Sequence, residues 1–169
     1  MTASATPSRG FSVTELAIVL AVTALIAGLA ASAYRTYAVR REVSSSVALA
    51  AGEREHVTRS FEHYGEPPRD RESAGLSPDK SDSRGRYIDW IDVVDGRLDL
   101  HFGNEADAAI AGHTLSVTPF ETADREVSWI CGNRVAGPGL KPLGFANGAR
   151  QAVQVVTQIE PRYLPSICR

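Results

Sequence analysis

The apolar residues of this chain are concentrated near its N-terminus. The run from Leu16 to Ala33 contains no charged residue, whereas the rest of the chain mixes charged and apolar positions. A helix from Phe11 to Ala33 would be about 35 Å long, which is enough to cross the hydrocarbon core of a bilayer. The pattern therefore predicts that this segment spans a membrane.

A helical pattern continues beyond this segment as far as Tyr64. Apolar residues recur at spacings of three, four or seven, as they do on one face of an α-helix. These residues are Val43, Val47, Ala50, Val57, Phe61 and Tyr64, with Arg54 as an interruption. Gly65 is a suitable C-terminal cap, and Pro67-Pro68 prevents continuation. We expect one long helix over residues 11–65, whose C-terminal half packs on a sheet and whose N-terminal half faces lipid or other subunits.

A surface loop is expected to connect this helix to a sheet. Residues 66–86 are charged, rich in serine and proline, and aperiodic. They are followed by two alternating segments, Tyr87 to Val94 and Arg97 to Phe102, on either side of Asp95-Gly96. This dipeptide is a strong indication of a two-residue hairpin.

Further short strands are predicted at Thr114 to Thr118 and at Glu126 to Cys131, and Ala152 to Gln158 is expected to add another. The expected fold class is therefore α+β. A long N-terminal helix packs on a small antiparallel β-sheet, which belongs to a globular head of residues 87–169.

Charge is distributed unevenly, although the formal net charge is only -2. Residues 87–126 carry nine acids against two arginines, and residues 132–169 carry five bases against one acid. The simplest interpretation of the basic region is an ordinary solvated surface. Two functional alternatives are packing against the acidic region of another subunit and capture of DNA. Aromatic residues suited to stacking on bases are limited there to Phe145 and Tyr163, so we favour packing.

The remaining candidate chemistry is sparse. The four histidines are scattered and do not have the spacing of a metal site; they are His56, His63, His101 and His113. Four acids of the hairpin lack the spacing of a calcium loop and are expected on its solvated face; they are Asp89, Asp92, Asp95 and Asp99. Neither a phosphate-binding glycine loop nor a nucleophile elbow occurs in the sequence. We expect no enzyme, no metal and no cofactor.

Cys131 and Cys168 are the two cysteines of the chain. Without a neighbouring histidine cluster they make a poor zinc site. A disulfide between them depends on the surrounding region reaching an oxidising compartment.

Glu15 is unusual because a carboxylate at the centre of a membrane helix costs on the order of 2.5 to 3.5 kcal/mol, and less near the helix end. Ser12 and Glu15 have the spacing of a capping box, which offers a purely structural explanation. A second alternative concerns processing, since Ala31-Ser32-Ala33 matches the cleavage site of a secretory signal peptide. In that case the mature protein would start at Tyr34.

The N-terminal motif is more specific than either alternative. The sequence Arg9-Gly10-Phe11-Ser12-Val13-Thr14-Glu15-Leu16 leads into the apolar helix and resembles the processing site of type IV pilins and pseudopilins. This resemblance implies a leader peptide of residues 1–10, which a prepilin peptidase cuts between Gly10 and Phe11, and N-methylation of Phe11. It also implies that Glu15 takes part in assembly by pairing with the N-terminal ammonium of an adjacent subunit.

Residues after the motif extend the resemblance. Tyr34, Tyr37 and Arg40 stand where the family places two aromatics and a basic residue, whereas Ser32 replaces a helix-bending proline that many members carry. Parts of the second half also resemble the pilin head; they are Thr114 to Pro119, Trp129 to Cys131 and Tyr163 to Arg169. The last of these implies a C-terminal loop closed by a disulfide between Cys131 and Cys168.

The function implied by the resemblance is that of a structural subunit of a type IV pilus, a filament used for adhesion, motility or DNA uptake. The implied partners are other pilin subunits, the prepilin peptidase, and an inner-membrane assembly platform with its ATPase. The subunit would cross the inner membrane once and then enter an extracellular fimbrium. The alternatives are a minor pilin, a type II secretion pseudopilin, or a membrane-anchored or secreted binding domain that does not polymerise.

Overall fold

The computed structural model of the protein describes residues 12–147 and 150–169. The predicted leader and Phe11 lie outside these residues. The chain forms two compact units, of which the first ends at Arg35 and the second comprises Thr36–Arg169. We call them the first unit and the second unit.

Two α-helices, α1 (Val13–Leu49) and α2 (Ala51–Tyr64), occupy the region where a single helix was predicted. They are separated at Ala50, whose ψ of 2° departs from the helical value. Three consecutive serines precede this point, and their hydroxyl groups donate to the carbonyls of Arg40 and Glu42. Such bonds compete with the helical ladder and bend helices, which accounts for the interruption. The predicted cap is confirmed, because Gly65 has a φ of 73° and its N–H donates to Phe61 O.

The sheet is antiparallel and consists of four strands in sequential order with a short addition. The strands are β1 (Ile88–Val94), β2 (Arg97–Phe102), β3 (Thr114–Glu121), β4 (Val127–Cys131) and β5 (Lys141–Pro142), which pairs with β3. The α+β fold class is thereby confirmed. The hairpin prediction is also confirmed, since Val94 pairs with Arg97 and both turn residues have positive φ, 50° at Asp95 and 82° at Gly96.

The core of the second unit lies between the helices and one face of the sheet. It includes Val39 and Val43 from α1, Leu98 and Leu100 from β2, and Leu115 from β3, all of them buried. Full burial of such a side chain contributes roughly 1.5 to 3 kcal/mol to folding. The second unit therefore contains the apolar contacts that it needs for a stable fold.

The strand predicted at Ala152 to Gln158 is wrong, because this segment belongs to no strand in the structure. Its backbone is held by other groups instead. The Ala152 N–H donates to Leu143 O, and the Thr157 N–H donates to the side chain of Asn133. Three valines gave the segment a strand-like composition, but they could not reveal that these partners replace a ladder.

Candidate assembly site

The apolar side chains of α1 within the first unit are exposed. Leu25 and Leu29 are 71% and 74% exposed, and the first buried residue of α1 is Val39, in the second unit. By length and composition, the helical region Val13–Tyr64 could cross a membrane, with a mean hydropathy of 2.4 in its most apolar window. A signal sequence near the N-terminus has similar properties. Within the described chain, these side chains have no apolar cover.

Glu15 lies in the first turn of α1 and folds back on the residue that precedes the helix. Its Oε2 accepts a hydrogen bond from the Ser12 N–H at 2.9 Å. The hydroxyl of Ser12 pairs with the hydroxyl of Thr14 at 2.8 Å, so only half of a capping box is formed. The other carboxylate oxygen has no hydrogen-bond partner among the described residues. A capping role and a role in ion pairing are therefore compatible in this geometry.

The structure describes only some of the other residues that the N-terminal resemblance singled out. Gly10 and Phe11 lie outside the described residues, so their cleavage and methylation remain predictions. Tyr37 is exposed, whereas Arg40 donates from Nη2 to Arg162 O at 2.7 Å and so ties α1 to the C-terminal region. At Ser32 the helix is uninterrupted, and its hydroxyl donates to Leu29 O.

The predicted disulfide is confirmed. It joins Cys131, at the end of β4, to Cys168, in a short 3-10 helix, with a Cα–Cα distance of 4.5 Å. Gly132 is necessary beside it, because its φ is 60° and a Cβ atom there would lie 2.7 Å from Cys168 O. Sequence reasoning missed this glycine, whose place directly after a bridging cysteine was the available signal.

The bridged loop is attached to the sheet by side-chain hydrogen bonds. The amide of Gln154 donates to the carbonyls of Gly132 and Arg134 at 3.1 and 2.8 Å. The Thr157 hydroxyl donates to Thr114 O at 2.7 Å. The loop therefore has a defined path across the second unit although it forms little regular secondary structure.

Many charges of the acidic and basic regions are paired within the subunit. Arg150 contacts Asp95 at 3.1 Å, and Lys80 forms an ion pair with Asp92. Charge complementarity between two subunits is therefore smaller than the sequence count indicates. The packing of the basic region, residues 132–169, against the acidic region of another subunit stays a prediction.

Asp99 differs from the solvated acid that the sequence suggested. Its carboxylate accepts hydrogen bonds from Arg97 and from the hydroxyl of Ser116, and the Arg97 and Asp99 side chains are only 12% and 13% exposed. The hydrogen bond from Arg97 to Asp99 raises the pKa of the guanidinium. Sequence reasoning missed this pair, because alternation along β2 does not show what covers the polar face.

His101 also lies on this polar face, with its ring stacked on Trp90 at a centroid distance of 4.6 Å. Its Nδ1 lies 3.0 Å from the Thr114 hydroxyl oxygen. Burial lowers the pKa of His101, against an opposing effect of the Asp99 and Asp92 carboxylates. Among the residues that the structure describes, no three His, Cys, Asp or Glu side chains come together as metal ligands would.

These features define a class of protein in which a disulfide-closed α+β unit is joined to a helix whose apolar side chains are exposed among the described residues. Residues 39–169 match the family model of pilins, which are bacterial filament proteins. The chain belongs to the pilin family.

The chain aligns with three relatives over most of their length. A type IV major pilin protein, PilE1, of Neisseria gonorrhoeae is 30% identical over 97% of this chain and 88% of its own length. A fimbrial protein of Neisseria meningitidis serogroup A is 31% identical over 97% of this chain and 95% of its own length. Fimbrial protein EcpC of Eikenella corrodens is 26% identical over 95% of this chain and 90% of its own length.

Proposed function

We propose that the protein is a structural subunit of a type IV pilus, which is processed after Gly10 and polymerises through the apolar part of α1. The observation that carries the proposal is the exposed surface of this helix, in which Glu15 is the one charged residue between Ser12 and Tyr34. The similarity to major pilin and fimbrial proteins over nearly the whole chain supports the same function.

The helix can pass from lipid to a filament at modest cost. Lipid tails and apolar side chains are equally apolar, so helix association in this setting depends on packing and on polar pairing more than on the hydrophobic effect. A buried carboxylate is tolerated there only when a cation neutralises it. Cleavage after Gly10 would create an ammonium group at Phe11, which is a suitable partner for Glu15 of the adjacent subunit.

The proposal includes the order of events and the cellular partners. The precursor crosses the inner membrane once, and the prepilin peptidase removes residues 1–10 and methylates Phe11. An assembly ATPase, acting through a membrane platform, then moves the helix into an extracellular filament. A minor pilin or a pseudopilin would follow the same steps, and its low abundance in sheared surface filaments would distinguish it.

The first test is the N-terminal sequence and intact mass of the protein from its own cells. We expect a chain that begins at Phe11 with one added methyl group. A chain that begins at Tyr34 would indicate a secreted domain, and an uncut Met1 would indicate a plain membrane anchor. Either of these results would refute the proposal.

A second test separates the two roles of Glu15. Glu15→Gln keeps an oxygen that can accept from the Ser12 N–H but removes the charge, whereas Glu15→Ala removes both. If Glu15 pairs with an ammonium, both variants lose filaments while the level of membrane-inserted subunit is unchanged. If it acts only as a cap, Glu15→Gln assembles normally. Thr14→Ala is the matched control, because it changes a neighbouring polar residue without changing charge.

A further inference from the structure

Tyr37 and Arg41 lie next to each other on the exposed face of α1 within the second unit. Tyr37 is 63% exposed and Arg41 is also exposed, whereas Val39 and Val43 on the opposite face are buried. Residues four apart on a helix are neighbours, so the phenol ring and the guanidinium can contact the same ligand. The core of the second unit uses neither side chain, and the pair is therefore available to another molecule.

The charge of Arg41 is unpaired within the described part of the chain. Its side chain forms no hydrogen bond or ion pair among the described residues. No residue three or four positions away on α1 is acidic. The adjacent acid, Glu42, accepts a hydrogen bond from the Asp107 N–H instead. Arg40 differs from Arg41, because it donates to Arg162 O.

The position of the pair along the chain points to the surface of the membrane. The uncharged apolar run ends at Ala33, and Tyr37 and Arg41 follow it by about 6 and 12 Å at the helical rise. Helical side chains are tilted toward the N-terminus, so both side chains reach back toward the span. The headgroup region extends roughly 5 to 8 Å beyond the hydrocarbon core, and tyrosine and arginine are typical of it.

Topology and charge select the ligand. The disulfide indicates that the second unit reaches an oxidising compartment, so the pair emerges on the side of the membrane away from the cytoplasm. Arg35, Arg40 and Arg41 then follow the span on that side, whereas Arg9 alone precedes it. This distribution opposes the usual cytoplasmic location of basic residues. An anion at the outer surface would offset the opposition, and the phosphate of a lipid headgroup is the anion that this location supplies.

We propose that Tyr37 and Arg41 bind the phosphate of an anionic phospholipid at the outer surface of the membrane. Arg41 donates to the phosphate oxygens, and Tyr37 places its ring among the headgroups with its hydroxyl toward water. The contact sets the depth of the subunit in the bilayer and breaks when the helix enters a filament. The proposal deepens the proposed pilus function and rests on it, because it concerns the membrane stage before assembly.

The test is mass spectrometry of the whole subunit, released intact from detergent micelles that contain phosphatidylglycerol. The subunit should retain this lipid more tightly than zwitterionic phosphatidylcholine, although its formal net charge of -2 provides no general attraction for anionic lipids. Arg41→Gln should weaken the retention of phosphatidylglycerol roughly fivefold, as expected for one arginine near an anionic surface. Arg41→Lys keeps the charge and should retain most of the binding.

Arg84→Gln is the matched control. Arg84 is exposed in the loop before β1, and its side chain forms no hydrogen bond or ion pair among the described residues. The control removes the same charge and should leave lipid retention unchanged. A non-reducing gel verifies that each variant keeps the disulfide, so that a loss of binding is not a loss of the fold.

Three results would overturn the proposal. They are equal retention of the two lipids by the unaltered subunit, unchanged retention by Arg41→Gln, and an equal loss in Arg41→Gln and Arg84→Gln. Inorganic phosphate separates a lipid site from a site for a free anion. Phosphate at the ionic strength of the acetate buffer should leave the lipid bound, and complete displacement would overturn the assignment to lipid. Absence of filaments from cells would refute the proposed pilus function alone, because the measurement uses single subunits in detergent.

Discussion

The two units of the chain use the same amino acids in opposite ways. Leu29 in the first unit is 74% exposed, whereas Leu100 in the second unit is completely buried. The second unit thus obtains its hydrophobic stabilisation from its own chain. The first unit presents apolar side chains that are exposed among the described residues, so we expect it to obtain its hydrophobic cover from lipid or from other subunits.

The two units also differ in how their charged side chains are paired. In the second unit, Arg97 and Asp99 are paired side chain to side chain, and Arg150 is paired with Asp95. In the first unit, the described contact of the Glu15 side chain is a single backbone N–H. A carboxylate with spare acceptor capacity on an apolar helix is the feature that a neighbouring subunit would complete.

The largest expected effect concerns the disulfide, which belongs to the second unit alone. Replacing Cys131 and Cys168 together by alanine should lower the free energy of unfolding of this unit by about 4 kcal/mol, because the unfolded chain regains the freedom of a long loop. Chemical denaturation of the detergent-solubilised subunit measures the change. An unchanged midpoint would show that the hydrogen bonds of Gln154 and Thr157 hold the loop without the bridge.

A matched pair of leucine substitutions tests the comparison directly. Leu100→Ala should destabilise the second unit by about 3 kcal/mol, because it leaves a cavity in the core. Leu29→Ala should leave that unfolding transition unchanged and should reduce filament yield instead, since Leu29 is exposed among the described residues and is expected to pack against other subunits. Thermal unfolding in detergent and the recovery of sheared filaments measure the two effects. Equal loss of stability in both variants would contradict the division into two units.

The smallest expected effect is a pH dependence that His101 gives to the second unit. Its folded pKa lies below the ordinary value of 6.5, so the unfolded chain takes up a proton first as the pH falls. The contribution of His101 to stability is therefore complete above this value and decreases as the pH falls below it. His101→Phe keeps an aromatic ring against Trp90 and should reduce the slope of unfolding free energy between about pH 7 and pH 5. An unchanged slope would assign the dependence to other groups.

Periodic and turn-forming residues made much of the fold predictable. Alternation in Arg97 to Phe102 and the Asp95-Gly96 turn identified the hairpin, and Gly65 identified the end of α2. These signals are local, so one sequence is sufficient to reveal them. The interruption at Ala50 was missed, because the three preceding serines were not read as competitors for helix carbonyls.

The path of the disulfide-closed loop was less predictable, because it depends on contacts distant in sequence. Ala152 to Gln158 has a strand-like composition, yet its partners include the side chains of Arg97 and Asn133 and the carbonyl of Leu143. For the assembly site, the N-terminal motif identified Glu15. The half-formed cap at Ser12 required the coordinates, because a capping-box spacing does not determine which hydroxyl bond forms.

The buried guanidinium of Arg71 has a consequence for how subunits can be joined. It donates from Nε to Ser77 O at 2.8 Å and from Nη1 to Ile91 O at 2.6 Å. In the register of the hairpin, Ile91 O lies on the outer edge of β1, where the strand of another molecule would otherwise add. Arg71 thus blocks sheet extension between subunits at this edge. A protein that must polymerise in a controlled way is thereby protected from forming a continuous β-sheet with its neighbours, an uncontrolled growth that would compete with the helical filament.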